Sequence, residues 1–244
     1  MSYKVYLSTK VKPKDLKAGT GVMVLEPGDY TAEEIAKIRG KGYKVLAYLS
    51  VGSLERERSW FEEFDEFKLK RLGDWPNEYY MDVTKTKWRK FLKNRAADLK
   101  EKGFDGWWLD NIDVYSEYKS KKMFTAIGAV FLKLREIGGY VMINGGSEWL
   151  DDAMDRGEKI KKFVHGYTQE EVFSRILDYS GKGGFGRQNK EDSKYYRTLM
   201  KKTMKKGVKG FCLEYTRDDE LKKKIKAWCK KYGARYCISE DVDL

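Results

Sequence analysis

Eight short β-branched or aromatic runs punctuate the chain, and most are followed by a longer amphipathic segment. The runs are GVMVLEP (21–27), YKVLAYLSVG (43–52), EYYMDV (78–83), FDGWWLD (104–110), YVMINGG (140–146), FVHGYTQE (163–170), VKGFCLEY (208–215) and ARYCISE (234–240). Between them, TAEEIAKIRGKG (31–42), TKWRKFLKNRAADLKEKG (86–103) and KKMFTAIGAVFLKLREIGG (121–139) carry apolar residues at three- and four-residue intervals, with glycine after the last turn. That is the pattern of helices with C-terminal stops. Strands that alternate with helices pair in parallel and need cover on both faces. With right-handed crossovers such units close naturally, and eight of them in 244 residues match the roughly 250 residues of a (β/α)8 barrel. The expected fold is therefore α/β, a single (β/α)8 TIM barrel over residues 1–244.

A doubly wound open sheet is the alternative. Its dinucleotide fingerprint occurs as Gly181, Gly183 and Gly186, but it follows ILDYS rather than a strand and precedes the polar run RQNKEDSKYY. The segment reads instead as a mobile loop after the sixth strand, near the barrel mouth, where it could act as a lid.

Composition narrows the function. With 41% hydrophobic and 36% charged residues and only 3 prolines, the chain folds as a water-soluble domain. No stretch approaches the roughly 20 apolar residues of a membrane span, and the opening MSYKVYLSTKVK lacks the apolar core of a signal peptide. Three cysteines without CxxC spacing make neither a disulfide framework nor a zinc site, so Cys212, Cys229 and Cys237 read as buried, inert thiols. The single histidine, His165, excludes multi-histidine metal sites and reads as structural. A net charge of +12 raises the question of nucleic acid, but the lysines of KKTMKKGVK (201–209) and LKKKIKAWCKK (221–231) interleave with apolar residues at helical spacing. They read as solvated helix faces, and no nucleic-acid partner is expected.

In a barrel of this kind chemistry collects where strands end and βα loops begin. Those positions are mostly acidic: Glu26, Asp82, Asp110 with Asn111 and Asp113 beyond it, Asn144, Glu170 with Glu171, and Glu214. Several acids directly follow apolar residues, as Asp110 follows Leu109, and a carboxylate there must be solvated by a cleft, paired or functional. Asp113 and Glu171 stand where loop or helix begins and are the first to be read as caps or ion-pair partners. Strand periodicity puts Asp110 on the face of Trp108 and Gly106, pointing into the mouth, with Trp107 and Leu109 toward the helices.

Two carboxylates across a cleft are the minimal apparatus for cutting a glycosidic bond, one ionised as nucleophile or base and one protonated as acid. Crowding raises the pKa of at least one of them. Magnesium would want substrate phosphates as well, and nothing cradles phosphate, so neither metal nor cofactor is expected. Aromatics are dense, with 7 Trp, 17 Tyr and 11 Phe. Tyr48, Trp149 and Tyr215 fall near the rim, where flat faces suit sugar rings.

On KVLAYLSVGSLERERSW (44–60), MDVTKTKWRKFLKNRAADLKEKGFDGWWLDNIDVY (81–115), INGG (143–146), QEEVF (169–173) and GVKGFCLEYTRD (207–218), the chain resembles glycoside hydrolase family 114, the endo-α-1,4-polygalactosaminidase-like TIM barrels. The block GFDGWWLDNID is the most specific of these. The resemblance implies an endo-acting, retaining hydrolase of an amino-sugar polysaccharide, with Asp110 as nucleophile and Glu170, or its neighbour Glu171, as acid/base. It also implies that Glu26, Asp82, Asn144, Glu214 and Tyr215 line the cleft, and Tyr48, Asn111, Asp113, Trp149 and Glu171 complete the expected substrate-binding set. Glu26 and Glu214 stand where the family more often has aspartate, which would reshape the sugar subsites.

Family members are commonly exported. Secreted or cell-envelope action, cytoplasmic action and release by lysis all stay open, and the protein is expected to be a monomer that binds a polysaccharide or oligosaccharide. A deacetylated galactosamine polymer is polycationic and a chain of charge +12 repels it at long range, so a neutral N-acetylated or anionic glycan suits the global charge better. A non-catalytic glycan-binding barrel of the cell envelope and a basic binder of acidic polymers are the competing readings.

Overall fold

The computed structural model describes residues 2–73, 75–179, 184–242 and 244. Its strands in chain order are β1 (Ser2–Tyr6), β2 (Gly21–Leu25), β3 (Tyr43–Ser50), β4 (Ser53–Glu55), β5 (Lys68–Leu72), β6 (Trp75–Met81), β7 (Gly106–Asp110), β8 (Tyr140–Asn144), β9 (Gly166–Glu170), β10 (Ser174–Ile176), β11 (Phe185–Arg187), β12 (Lys209–Tyr215) and β13 (Arg235–Ser239). Eight of them form one parallel sheet in the order β1-β2-β3-β7-β8-β9-β12-β13. β13 comes back alongside β1 without ladder pairing among the described residues, so the barrel is nearly closed.

The expected barrel is present, with one strand exchanged. EYYMDV, expected as the third barrel strand, belongs to β6, which pairs antiparallel with β4 and β5 in a separate three-stranded sheet. β3 and β7, which it was expected to separate, pair directly, and the eighth strand is β1, from the first residues of the chain, on the other side of β2. The segment read as a loop after the sixth strand is in part a hairpin: Gly186 lies in β11, the antiparallel partner of β10. Gly181 and Gly183, and with them the core of the expected loop, lie outside the described residues.

Helices Ala32–Gly40, Thr86–Glu101, Lys121–Ile137, Ser147–Asp155, Lys190–Lys205 and Asp219–Tyr232 pack outside the sheet. Their ends follow local chemistry. Thr31 and Glu34 form a reciprocal capping box at the first, while Gly138 and Gly233 take left-handed conformations that end the third and sixth. The strand alternation divides the core in two. Trp107, Leu109, Val141, Ile143 and Tyr167 face the helices, while Tyr3, Val5, Val22, Val24, Leu46, Trp108, Met142, Phe211 and Leu213 fill the barrel. Inside, Trp108 Nε1 donates to Tyr3 Oη and Thr168 Oγ1, both at 3.1 Å, which ties three strands together beneath the mouth. Gly106 starts β7 because a Cβ there would stand 2.1 Å from the Tyr140 carbonyl oxygen.

Candidate active site

Asp110, Asn144, Glu170 and Tyr215 end β7, β8, β9 and β12. Asn144 lies between the two acids: its Nδ2 donates to Asp110 Oδ1 at 2.9 Å and to Glu170 Oε1 at 2.5 Å. One nitrogen thus holds these two oxygens within about 5.4 Å of each other, the sum of the two contacts. Tyr215 Oη donates to Glu170 Oε2 at 2.6 Å, so both oxygens of Glu170 are fixed. The chain turns sharply after each acid, because Asn111 (φ 60°) and Glu171 (φ 55°) both sit in the left-handed region. Asparagine tolerates that conformation, whereas for glutamate it is strained, and such strain concentrates at functional sites.

Partial burial and the like charge of Asp110 push Glu170 up to about 7. Burial also raises Asp110 above the usual aspartate value, opposed by hydrogen bonds from Asn144, the Asn111 backbone and Tyr48. Glu170 therefore keeps its proton up to about pH 7, held there in part by the charge of Asp110.

The antiparallel sheet β4-β6-β5 rises from the end of β3 as a side wall of the cleft. Its central residue is Glu78, whose Oε1 accepts from the Ser53 hydroxyl and, at 3.1 Å, from Asn111 Nδ2. Burial together with Asp110 and Glu55 brings Glu78 to about 7 as well. Arg58 grips Glu26 with both terminal nitrogens at 3.0 and 3.1 Å and reaches Glu55 at 2.8 Å. Tyr48 lies under that guanidinium, with its ring centroid 5.8 Å from the guanidinium carbon.

The expected site residues divide into two groups. Asp110, Glu170, Glu26, Tyr48, Asn111, Asp113, Asn144, Glu171 and Tyr215 all line one cleft of about 1050 Å³ at the barrel mouth. Within it, Asp113 Oδ1 accepts from the Gly146 backbone at 3.0 Å and Glu171 Oε1 accepts from the Ile176 backbone. Glu170 rather than Glu171 shares Asn144 with Asp110, and Glu171 turns aside to hold β10.

Glu214, Asp82 and Trp149 stand outside the cleft. Glu214 is fully buried and accepts from Phe173 N, Ser174 N and Ser174 Oγ, so it anchors the turn after β9. Asp82 follows the side sheet and accepts from Thr84 N and Oγ1. Trp149 is fully buried among Phe124, Phe131 and Phe163 in the helical layer. His165 lies beyond the start of β9's barrel segment, at the opposite end, where Nδ1 accepts from Val141 N at 2.9 Å. Burial and Arg135 depress it to about 4.

Residues the sequence reading missed are Glu55, Arg58, Trp75, Glu78 and Tyr179, all on insertions. The hairpin signal in EYYMDV was visible only as strand propensity, and an antiparallel strand presents its acid from the middle, not from the C-terminal end. Among the described residues, nine carboxylates line the cleft and Arg58 is the one cation. In a chain of charge +12 the cleft has the opposite sign. No three carboxylates, cysteines or histidines among the described residues converge as metal ligands would.

A model of glycoside-hydrolase family GH114 matches residues 1–244, the whole chain. The chain belongs to family GH114. Among solved structures, this GH114 chain is similar to the glycoside hydrolase domain of PelA from Pseudomonas aeruginosa, at 18% identity and a TM-score of 0.82, covering 100% of this chain and 96% of that one. It is also similar to Ega3 of Aspergillus fumigatus, solved in complex with galactosamine, at 16% identity and a TM-score of 0.74, covering 98% and 90%. Those likenesses establish a shared barrel fold. An uncharacterised protein of Methanocaldococcus jannaschii is 26% identical over 164 residues, 61% of this chain and 47% of that protein. One of Thermotoga maritima is 27% identical over 95 residues, 37% and 29%. The aligned regions thus span less than half the length of these two relatives.

Proposed function

We propose that this chain is an endo-acting, retaining glycoside hydrolase that cleaves an amino-sugar polysaccharide, a polygalactosamine-like α-1,4 glycan, with Asp110 as nucleophile and Glu170 as acid/base. The observation that carries the reading is the Asn144 bridge. Retaining enzymes set their carboxyl groups about 5–5.5 Å apart and inverting ones roughly 6.5–9.5 Å, and a bridge that keeps the facing oxygens no more than about 5.4 Å apart favours the first class.

The steps follow from the charge states. Glu170, protonated up to about pH 7, gives its proton to the leaving glycosidic oxygen as an Asp110 oxygen bonds to the anomeric carbon and the glycosidic bond breaks. Glu170 is then a carboxylate. It takes a proton from an incoming water whose oxygen bonds to the same carbon, and the Asp110 ester bond breaks. Both acids return to their starting states, and Asn144 and Tyr215 hold them in place throughout.

The cleft's sign supports an amine-bearing glycan. Long-range repulsion is screened beyond roughly 8 Å at physiological salt, while the ionised acids among the nine that line the cleft act at short range on an ammonium bound there. The galactosamine complex of Ega3 is consistent with that chemistry.

The test is product mass spectrometry on a panel of amino-sugar and neutral polysaccharides with wild type, Asp110→Asn and Glu170→Gln at matched stability. Oligosaccharides released by wild type and by neither variant support the proposal. Substantial release by Asp110→Asn sinks the nucleophile assignment, and binding without release by any form points to the glycan-binding barrel.

A further inference from the structure

Trp75 is the most exposed of the chain's seven tryptophans, at 46% exposure. It begins β6, opposite Leu72 across the hairpin. Tyr179 comes from the other side of the mouth, beyond β10, and meets the indole edge-on with ring centroids 5.8 Å apart. Two insertions, one after β3 and one after β9, thus join in an aromatic pair at the rim of the cleft that holds Asp110 and Glu170. A contiguous exposed aromatic patch rimmed by polar groups is the kind of surface that marks a ligand-binding groove.

We propose that Trp75 and Tyr179 form a distal sugar subsite, which holds a second hexosamine ring of the glycan chain away from the bond being cut. The inference rests on the glycosidase reading of the cleft. Three observations fit a sugar of that class. Trp75 lies three residues along β6 from Glu78, about 10 Å at the rise of a strand, so a ring on the indole is not the ring beside Asp110. The cleft, at about 1050 Å³, is at the upper end of the size that encloses one small ligand, which leaves room for a chain. Two residues along from Trp75, Asn77 donates to Glu57 at 2.8 Å, and both line the same cleft, where they can meet a hydroxyl or an ammonium. The apolar face of a pyranose lies flat on an indole, and a ring ammonium within about 6 Å adds attraction to the π face.

The experiment measures kcat and KM of the full chain on α-1,4-linked galactosamine oligomers of increasing length. For wild type, kcat/KM should climb as the oligomer lengthens. Trp75→Ala should lose about tenfold on the longest oligomers, mainly in KM, and be unchanged on the shortest one cleaved, since a contact of this kind is worth about one factor of ten. Tyr179→Ala should share the loss, and Trp75→Phe, which keeps an aromatic face, should recover most of it. The same wild-type to Trp75→Ala ratio at every length overturns the subsite. So does the loss of a dimer in Trp75→Ala with length dependence intact, which would make the pair a self-association contact. If wild type cleaves none of the oligomers, the failure lies in the glycosidase reading for this glycan, and the subsite falls with it.

Discussion

Tyr215→Phe isolates a single atom of the proposed machinery. The Tyr215 ring is almost fully buried against Phe185 and the barrel interior, so phenylalanine fills the same space and removes only the 2.6 Å hydrogen bond to Glu170 Oε2. That bond favours the ionised carboxylate and holds the pKa of Glu170 down, against burial and Asp110, which hold it up. A hydrogen bond to a charged group is worth about 1.5–3 kcal/mol and one to a neutral group about 1 kcal/mol. The difference, on the order of 1–1.5 kcal/mol, is about one pKa unit. In the proposed mechanism Glu170 must be protonated for the first step, so the alkaline limb of kcat/KM should fall near pH 7 in wild type and near about pH 8 in the variant. The assay is a pH profile of initial rates from pH 4.5 to 9 on the substrate found by the panel above. Near pH 8 the variant should match or exceed wild type, which a merely structural defect would not produce. An alkaline limb that stays in place, or moves to lower pH, refutes Glu170 as the acid.

Two further predictions concern stability and charge. Glu214 is held at about 7 against an ordinary 4.5, so the folded state binds its proton more tightly than the unfolded chain does. That contribution is complete below about pH 4.5, declines as pH rises and is gone above pH 7; at 1.36 kcal/mol per unit it amounts to about 3 kcal/mol. Thermal unfolding should therefore show a falling Tm between pH 5 and 7.5 with a shallower slope in Glu214→Gln, and parallel slopes would disprove the assignment. Arg58→Gln should leave Glu26 and Glu55 without their cation, lower stability by about 1–3 kcal/mol, and make KM for a cationic glycan rise more steeply with salt. Urea melts and a salt series check this, and an unchanged salt slope would count against charge-based recognition.

Much of the site was legible because a strand's two-residue period assigns each side chain to one face. Trp108 and Asp110 could be placed inside the barrel from GFDGWWLD alone, and the hydrogen bonds of Trp108 bear that out. The same reasoning could not tell EYYMDV from a barrel strand. Both are apolar runs of strand length, and what separates them is a distant partner: β6 pairs with Ser53–Glu55 in the antiparallel sense, which no local pattern records. β1 escaped notice for a related reason, since only the 3-10 turn Pro13–Asp15 lies between it and β2, and the strand-then-helix rhythm is silent there. Glu214 shows the limit of arguing from a buried acid. The alternatives of pairing and function were stated correctly, but the partners, two backbone N–H groups and a hydroxyl forty residues earlier, become visible only once β10 is in place.

The side sheet from Ser53 to Met81 hangs from a single barrel strand and returns to the barrel layer through one helix. Asp110, Asn144, Glu170 and Tyr215 are all encoded elsewhere, on strands of the eight-stranded sheet, with Leu54, Phe61, Phe64 and Met81 tying the side sheet's stretch into the core behind them. On the proposed reading, the reacting pair and one wall of the cleft are thus written on different stretches of chain. Under selection, about thirty residues could be lengthened, recharged or exchanged to suit a different polymer while the reacting pair stays as it is, the kind of division that lets one barrel serve many substrates.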